Sequence, residues 1–328
     1  MADDPDALFP SGSTTRRGLL SAFTRRAAEA LPEIPNLPGI PDGPTFREPI
    51  DSFDEDPPDW IDPVLSGEDL IAEVRASTAD RGMHIWWLGQ SGFLVQMSKE
   101  NILLDPYLSD SLSVTSDESG VLHERITGVV VDPAGLSFVD VVTSSHAHLD
   151  HLDPGTLPGV LSGDAAFVCA AGNEIVATER AGRPPDIGLH VGELATFAGF
   201  QIEAVPAYHD DAPEAVGYVV RNGTYAFYHA GDTRRVQGIA EAVSEYGVDV
   251  AFVPINGKHG NMDGTDAARL AYEAGAMIAI PCHYEMFRHN TASTSRFVAE
   301  CVRLSQEYRL PRAGERITID YGFDPDWP

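Results

Sequence analysis

The sequence predicts an α/β fold in which two β-sheets pack face to face with helices on the outside. From residue 83 onward, short β-rich runs alternate with turns, and the runs fall into two groups that are each followed by helical patterns. At 328 residues, the chain is long enough to bury one large core, with or without an appended segment. We therefore expect one α/β domain with an additional N-terminal segment.

The N-terminal segment differs in composition from the rest of the chain. Residues 1 to about 65 are rich in Pro, Asp and Gly, as in LPEIPNLPGIPDGP and DSFDEDPPDW, which predicts extended or poorly ordered chain. In SGEDLIAEVRAS, Ser66 stands three residues before Asp69 and ahead of apolar residues at helical spacing, a capping pattern that predicts a helix. We therefore divide the chain into an extension over residues 1–79, ending in this helix, and a domain over residues 80–328.

The segment TTRRGLLSAF, at residues 14–23, is similar to a twin-arginine export signal. Arg25 and Arg26 interrupt the apolar stretch that such a signal needs. A short basic amphipathic helix is therefore the favoured interpretation, with an export signal as the alternative.

Within the domain, apolar β-rich runs bounded by turns predict the strands. They are, in order, HIWWLGQSGFLVQM and NILLDPYL, which resemble paired strands, then VDVVTSS, FVCAA, QIEAVPAY, GYVVRN and AFYHAG. Apolar residues at helical spacing predict helices over residues 171–181, 236–246, 263–273 and 293–308. The strands therefore form two halves that are each followed by helices, the pattern expected of two sheets with helices outside.

The acidic composition excludes several classes of partner. The chain has 50 acidic and 22 basic residues and a formal net charge of −28. Such a surface repels nucleic acid and anionic membranes, and no basic patch interrupts it. No apolar run approaches the roughly 18 residues of a membrane span. We expect a small-molecule substrate, no nucleic acid partner and no integral membrane segment.

The cysteines bear on the cellular location. Cys169, Cys282 and Cys301 are odd in number, widely spaced and set in apolar contexts. A disulfide framework is therefore not expected, and a reducing, cytoplasmic location is predicted. The Pro-rich extension suggests self-association, so a homo-oligomer is a further hypothesis.

The densest chemical motif is SSHAHLDHLD, which carries His146, His148, Asp150 and His151 within six residues. It follows the apolar run VDVVTSS and is therefore expected on a loop at the carboxyl end of a strand, where binding residues are commonly displayed. Imidazole nitrogens and carboxylate oxygens are the usual ligands of zinc and also serve manganese or iron. Because neighbouring side chains point in different directions, two adjacent ions fit this spacing better than one. His146 and His148 would share one site, and Asp150 and His151 the other.

Three later segments supply the further ligands that two ions need. Each is an apolar strand followed by a ligand-type residue: AVPAYHD with His209, AFYHAGDT with Asp232, and AIPCHYEMF with His283. One carboxylate can give an oxygen to each of two ions, which makes Asp232 the expected bridge. His209 would then complete the first site and His283 the second. The predicted cofactor is a pair of divalent ions, zinc or manganese, with iron as a further option.

The spacing H-x-H-x-D-H at His146, His148, Asp150 and His151 resembles the motif of the metallo-β-lactamase superfamily. The resemblance runs from about residue 83 to the C-terminus, and the order of the later ligand segments fits it. The stretches WWLGQSGFLV, LLDPYL, YHAGDT, VDVAFVPING and IPCHYEMFRHNT resemble the group that contains L-ascorbate-6-phosphate lactonase and its metal-dependent hydrolase relatives. The resemblance implies an αββα sandwich of two mixed sheets, with metals at one edge between them.

Two further residues at strand ends are candidates for the surroundings of the ions. Asp105 in LLDPYL would orient a ligand histidine, a role that such sites normally require, and a turn residue is the alternative. His229 stands three residues before Asp232 and would point elsewhere on its strand. For His229, a role in supporting ligands or contacting substrate is favoured over metal ligation.

Other candidates come from loops near the expected site. The glycine-rich loop PINGKHGNMDG carries Asn256, Lys258, His259 and Asn261. Lys258 would hold an anionic group of the substrate, or be a solvated loop residue. Tyr284 would contact substrate or serve packing. Gln90 and Ser91, in the turn of LGQSGF, are expected to line the mouth of the site.

The expected reaction follows from the two ions. Two divalent ions about 3.5–4 Å apart lower the pKa of a bridging water toward 7, so we expect hydrolysis, with Asp150 or Asp232 handling the proton. The leading hypothesis is a lactonase or carboxylic-ester hydrolase of a small polar sugar derivative, with or without a phosphate group. A metal-dependent phosphodiesterase is the alternative. A non-hydrolytic iron-binding redox or sensor protein is the second alternative.

Overall fold

The structure, a computed structural model, describes residues 58–114, 120 and 122–321. The Pro-rich segment up to residue 57 and the arginine-containing segment 14–23 lie outside these residues, so what the sequence predicts for them stays a prediction. Among the described residues, no helix is both long enough and apolar enough to cross a bilayer.

The first half of the domain, together with the last strand, forms one seven-stranded sheet. Numbered along the chain, its strands are β1 Met83–Gly89, β2 Gly92–Met97, β3 Glu100–Leu104, β4 Val141–Ser144, β5 Ala166–Ala170, β6 Ile187–Leu189 and β14 Arg316–Ile319. Their order in the sheet is β14, β1, β2, β3, β4, β5, β6. Pairing is antiparallel from β14 to β3 and parallel from β3 to β6, so the sheet is mixed.

The second half forms another seven-stranded sheet. Its strands are β7 Leu194–Phe197, β8 Phe200–Pro206, β9 Val216–Arg221, β10 Ala226–His229, β11 Val250–Pro254, β12 Ile278–Cys282 and β13 Glu307–Tyr308. They lie in the order β13, β12, β11, β10, β9, β8, β7. This sheet is also mixed, with antiparallel pairing from β7 to β10 and parallel pairing from β10 to β13.

The two mixed sheets pack face to face, which confirms the predicted α/β class. Aromatic side chains from both inner faces meet in the core between them. Phe93 of β2 contacts Phe252 of β11, with ring centroids 4.2 Å apart. Trp87 of β1 stacks on Tyr284, which follows β12, with centroids 4.5 Å apart. Burying each large apolar side chain contributes roughly 1.5–3 kcal/mol, so these contacts hold the sheets at a defined spacing.

Helices cover the outer faces of the sheets. In the described part of the chain they are α1 Gly67–Ala76, α2 Ser111–Val114, α3 Leu157–Val160, α4 Glu174–Ala181, α5 Ile239–Ser244, α6 Gly264–Glu273 and α7 Ser295–Leu304, with 3₁₀ turns at Ser77–Ala79 and Pro133–Leu136. Helices α1, α3 and α4 pack their apolar sides on the first sheet, whereas α5, α6 and α7 pack on the second. The layers therefore follow the sequence prediction of helices outside two sheets.

Several helices are shorter than the sequence predicts. Helix α4 begins at Glu174 and not at residue 171. Helix α7 ends at Leu304, because Ser305 adopts a φ of 55°, in the left-handed region that ends many helices. Glu307 and Tyr308 then form β13, which pairs with β12. The prediction of a helix continuing to residue 308 is therefore wrong.

Helix α1 forms where the sequence predicts a helix, but the capping pattern does not act as expected. The Ser66 side chain makes no hydrogen bond to the helix N-terminus. Burial of Leu70 and neighbouring apolar side chains against the first sheet holds the helix instead. In addition, Trp86 Nε1 donates to Glu73 Oε2 at 2.7 Å. The helix thus packs on the domain, and the division between residues 79 and 80 stays a prediction.

Helices α6 and α7 are joined by a cluster of charged side chains. Arg303 of α7 donates to Glu300 Oε2 at 2.8 Å from Nε and to Oε1 at 2.7 Å from a terminal nitrogen. Arg269 of α6 donates from Nε to Glu300 Oε1 at 2.6 Å. Arg303 and then Arg269 lower the pKa of Glu300 from 4.5 to about 2. The carboxylate is therefore stabilised in its charged form by both helices.

Replacing Glu300 by Gln is expected to lower the Tm, because an amide cannot pair with two guanidinium groups. Since the folded pKa of about 2 lies below the ordinary value of 4.5, the stabilisation is fully present above pH 4.5 and is lost as the pH falls toward 2. Thermal unfolding from about pH 7 down to about pH 3 should show a gap in Tm between the two proteins that narrows with acid.

The matched control is Glu179→Gln, since Glu179 is exposed on α4 and makes no ion pair with a described residue. It should leave the Tm unchanged. A gap for Glu300→Gln that is independent of pH would contradict the ion-pair explanation.

Candidate metal centre

The ligand-type residues of the motif and of the three later segments meet at one edge of the two sheets. Strand β4 ends at Ser144, and the loop that follows carries the motif. Strands β8, β10 and β12 of the second sheet point the same way and are followed by His209, Asp232 and His283. The carboxyl ends of four strands therefore deliver all of these side chains to one place.

The first group of ligand atoms comes from His146, His148, His209 and Asp232. One nitrogen or oxygen atom from each lies within 4.8 Å of the others. His148 Nδ1 and His209 Nε2 are 3.2 Å apart. This is the grouping expected from the sequence, with His209 added to the two histidines of the motif.

The second group comes from Asp150, His151 and His283, again within 4.8 Å of one another. Asp232 faces both groups with different oxygens. Its Oδ1 lies 2.9 Å from His283 Nε2 and 3.3 Å from His151 Nε2. Its Oδ2 lies 3.8 Å from His209 Nε2. The carboxylate is thus placed between the two groups.

The atoms that converge here lack hydrogen bonds. Nε2 of His146, His151 and His283 and Oδ1 of Asp232 are buried and have no hydrogen-bond partner among the described residues. Buried polar atoms are hydrogen-bonded in the great majority of cases. Lone pairs that face one another without hydrogen-bond geometry are what a bound cation would satisfy, so these residues fit a metal ion.

The electrostatics of the cluster also favour a cation. Burial raises the pKa of Asp232, but the His283 and His151 imidazoles outweigh burial and hold it well below its usual range. Burial lowers the pKa of His151, but Asp232 and Asp150 outweigh it and hold that pKa well above its usual range. Burial and the neighbouring His151 lower the pKa of His146, which keeps this imidazole neutral. The carboxylates thus attract positive charge, and neutral imidazoles are available as ligands.

Asp105 lies directly behind the motif, as expected for a residue that orients a ligand histidine. Its Oδ2 is 2.7 Å from His151 Nδ1, and both side chains are fully buried. The backbone N–H of Ser145 donates to Asp105 Oδ1 at 2.9 Å, and the Ser145 hydroxyl donates to Oδ2. The carboxylate therefore fixes both the ring of His151 and the start of the motif loop.

Gln90 occupies a position that the sequence does not predict. It is fully buried and does not line the mouth of the site, and neither does Ser91, so that prediction is wrong. Gln90 Nε2 donates to Asp150 Oδ2 at 2.8 Å and lies 2.9 Å from His283 Nδ1. Its backbone has a φ of 50°, which is uncommon for a residue other than glycine. The buried side chain of Gln90 therefore links Asp150 and His283, two members of the second group.

Three of the other candidates do not reach the cavity at the site. His229 is buried between the sheets, with Nε2 3.0 Å from the Ser91 carbonyl oxygen. The Tyr284 hydroxyl donates to the carbonyl of Pro311, and its ring packs on Trp87, so this side chain serves packing. Lys258 is exposed, and its ammonium donates to the carbonyl of His289.

A cavity of about 230 Å³ opens beside the two groups. His148, Asp150 and Asp232 form its floor, and Asn256, predicted from its loop, lies in the wall. The wall also contains His259, and it contains five residues that the sequence does not single out as site residues: Leu112, His123, Leu149, Asp211 and Asn290. Most of these five stand in irregular segments without a recognisable motif, whereas His259 lies in the same glycine-rich loop as Asn256.

Comparison with known proteins agrees with this site. The profile of the beta-lactamase superfamily domain matches residues 84–283, which include every ligand-type residue described above. A "UPF0173 metal-dependent hydrolase" of Alkaliphilus metalliredigens is 30% identical over 240 residues, which cover 70% of this chain and 96% of that protein. A protein of the same description from Opitutus terrae is 28% identical over 255 residues, which cover 72% of this chain and 100% of that protein.

Solved structures resemble the same part of the chain. Igni18, a metallo hydrolase from Ignicoccus hospitalis, has a TM-score of 0.58 and 25% identity, and the match covers 73% of this chain and 99% of that one. An isothiocyanate hydrolase from Delia radicum gut bacteria has a TM-score of 0.60, covering 72% of this chain and 99% of that one. Its identity is 17%, so this likeness shows the shared fold alone.

Replacing Gln90 by Leu is expected to weaken metal binding about 10–100-fold, because Asp150 and His283 lose the amide that positions them. Titration with zinc against a chromophoric chelator measures the affinity, and elemental analysis gives the number of ions bound. Gln201→Leu, on an exposed position of β8, is the matched control and should bind as the unchanged protein does. Unaltered affinity in Gln90→Leu would show that the amide does not position the ligands.

Proposed function

Because the chain belongs to the metallo-β-lactamase superfamily and is a metal-dependent hydrolase with a His/Asp metal site, we propose that it binds two divalent ions and hydrolyses a small lactone or related carboxylic ester. The family supports metal-dependent hydrolysis. The number of ions and the class of substrate are our proposal, which rests on the geometry of the site and on the size of the cavity.

The position of Asp232 carries the proposal of two ions. Its Oδ1 faces His151 and His283, whereas its Oδ2 faces His209. A single carboxylate so placed has one oxygen for each ligand group. We therefore assign His146, His148, His209 and Asp232 to one ion, and Asp150, His151, His283 and Asp232 to the other. All of these ligands offer nitrogen or oxygen, which suits zinc or manganese, with iron as a further option.

Divalent ions at this position would acidify water and polarise the oxygen of an ester carbonyl. The residues of the chain prepare the site for this chemistry. Asp150 lines the cavity, accepts a hydrogen bond from Gln90 at Oδ2, and is the first candidate for holding a proton taken from water. Asp232 lines the same floor and is the second candidate for holding that proton. Asp105 keeps His151 in one orientation during the reaction.

The size of the cavity favours a small ester over a lipid phosphodiester. At about 230 Å³, the cavity lies below the roughly 300–1,000 Å³ that accommodates drug-sized ligands. The motifs that resemble the L-ascorbate-6-phosphate lactonase group support a lactone, and membership of that group stays a prediction. A metal-dependent phosphodiesterase and a non-hydrolytic iron protein are the alternatives that the experiments below must exclude.

Location and assembly are also proposals. Cys169, Cys282 and Cys301 are buried and unpaired, which is compatible with a reducing, cytoplasmic location. A homo-oligomer stays a hypothesis that sedimentation would test.

The proposal is tested by elemental analysis of protein purified without added metal, combined with hydrolysis assays before and after chelation. We expect about two ions per chain and turnover of a lactone that a chelator abolishes and added zinc or manganese restores. Faster turnover of a bis-aryl phosphodiester than of the lactone would favour the phosphodiesterase. Bound iron without hydrolysis of either compound would favour the redox or sensor protein.

Replacing Asp232 by Ala is expected to reduce kcat/KM for the lactone by more than about 100-fold. This loss exceeds the roughly 10–100-fold loss of activity that is usual when a residue hydrogen-bonded to a metal ligand is replaced. Circular dichroism should show a retained fold. Asp164→Ala, on an exposed loop position, is the matched control and should keep full activity. Full activity in Asp232→Ala would eliminate the bridging role.

A further inference from the structure

Among the described residues, no lysine or arginine side chain lines the wall of the cavity. Apart from the residues assigned to the ions, the wall consists of imidazole, amide, carboxylate and leucine side chains. The carboxylate is that of Asp211, which is exposed at the cavity and makes no ion pair with a described residue. Beyond the residues assigned to the ions, a substrate group therefore meets the negative charge of Asp211, which no lysine or arginine of the described wall offsets.

The cations nearest along the chain are engaged elsewhere. The Lys258 ammonium donates to the carbonyl of His289 and does not line the cavity. Arg234, two residues beyond Asp232, forms an ion pair with Asp210. Arg125 donates to Asp110 Oδ1 at 2.9 Å. Neither a lysine ammonium nor an arginine guanidinium of the described residues is therefore placed in the wall to hold a phosphate.

The two amides of the wall are hydrogen-bonded to each other. Asn256 Nδ2 donates to Asn290 Oδ1 at 2.9 Å. Asn256 Oδ1 is then buried with no hydrogen-bond partner among the described residues. One amide N–H of Asn256 is engaged within the wall and is therefore not available to an anionic ligand.

From these features we infer that the substrate is a small uncharged lactone or ester that bears hydroxyl groups and no phosphate. A phosphate group at neutral pH is anionic and mainly an acceptor, so it would face the Asp211 carboxylate with the wrong charge and the wrong hydrogen-bonding character. A hydroxyl group, in contrast, can donate a hydrogen bond to this carboxylate. The cavity, at about 230 Å³, lies below the roughly 300–1,000 Å³ of pockets for drug-sized ligands, which suits a compact sugar-like ring.

This inference rests on the proposed function and narrows its substrate class. It also departs from the sequence-based hypothesis that Lys258 holds an anionic group, because the structure directs that ammonium to a backbone carbonyl.

The test compares D-glucono-1,5-lactone with its 6-phosphate, two probes that differ by one phosphate group, with the spontaneous rate subtracted. We expect kcat/KM to be at least about tenfold higher for the neutral lactone. Equal or faster turnover of the phosphorylated lactone would overturn the inference while leaving the hydrolase intact. Absence of metal-dependent turnover of either lactone would overturn the proposed function and the inference with it.

Variants that change the charge of one side chain test which residue causes the preference for the neutral lactone. Asp211→Lys is expected to reduce the ratio of kcat/KM values, neutral over phosphorylated, by at least about tenfold, because it replaces repulsion by attraction. Asp164→Lys makes the same change in net charge on an exposed position outside the cavity wall and should leave the ratio unchanged. An unchanged ratio in Asp211→Lys would overturn the assignment of Asp211.

Lys258→Ala tests the competing role of the only lysine near the site. If the inference holds, this variant leaves the ratio unchanged, because the ammonium does not contact the substrate. A selective loss of turnover of the phosphorylated lactone in Lys258→Ala would show that Lys258 holds a phosphate, and would overturn the inference.

Discussion

The carboxylate of Asp232 is the point at which the two halves of the protein meet. It follows β10 of the second sheet, yet its Oδ1 lies 3.3 Å from Nε2 of His151, which belongs to a loop of the first sheet. These atoms can meet only if the two sheets pack with the right spacing. A hydrogen bond across the same edge supports that spacing, since the Tyr218 hydroxyl of β9 donates to the Ser144 carbonyl of β4 at 2.9 Å. The packing of the two sheets therefore determines whether the ligand atoms of the metal site can meet.

Gathering carboxylates and imidazoles away from water is unfavourable unless each has a partner. Asp105 and Gln90 supply partners from behind the site, and they hold His151, Asp150 and His283 in fixed orientations. Nε2 of His146, His151 and His283 and Oδ1 of Asp232 still lack hydrogen-bond partners among the described residues. A cation bound there would satisfy them and would stabilise the folded state, because binding to the native protein shifts the folding equilibrium.

Acidic side chains affect binding both over the whole surface of the protein and within the cavity. Across the whole surface, a formal net charge of −28 disfavours anionic macromolecules. At the cavity, the same sign of charge appears locally in Asp211, close to carboxylates that the ions would neutralise. The charge that a substrate meets in the cavity thus depends on which carboxylates remain unpaired after the ions bind. The amino-acid composition does not show which carboxylates these are.

The sequence by itself determined the fold class and the ligand-type residues. The motif at residues 146–151 and the residues that follow three later strands were recognisable because each pattern is local, and because strand ends of one direction meet at one edge of a sheet. Tertiary structure alone decided the position of Gln90, the wall contributed by His123 and Asp211, and the engagement of Lys258 with a backbone carbonyl. These features depend on the path of irregular loops and on the direction of single side chains across the fold, which local spacing does not encode.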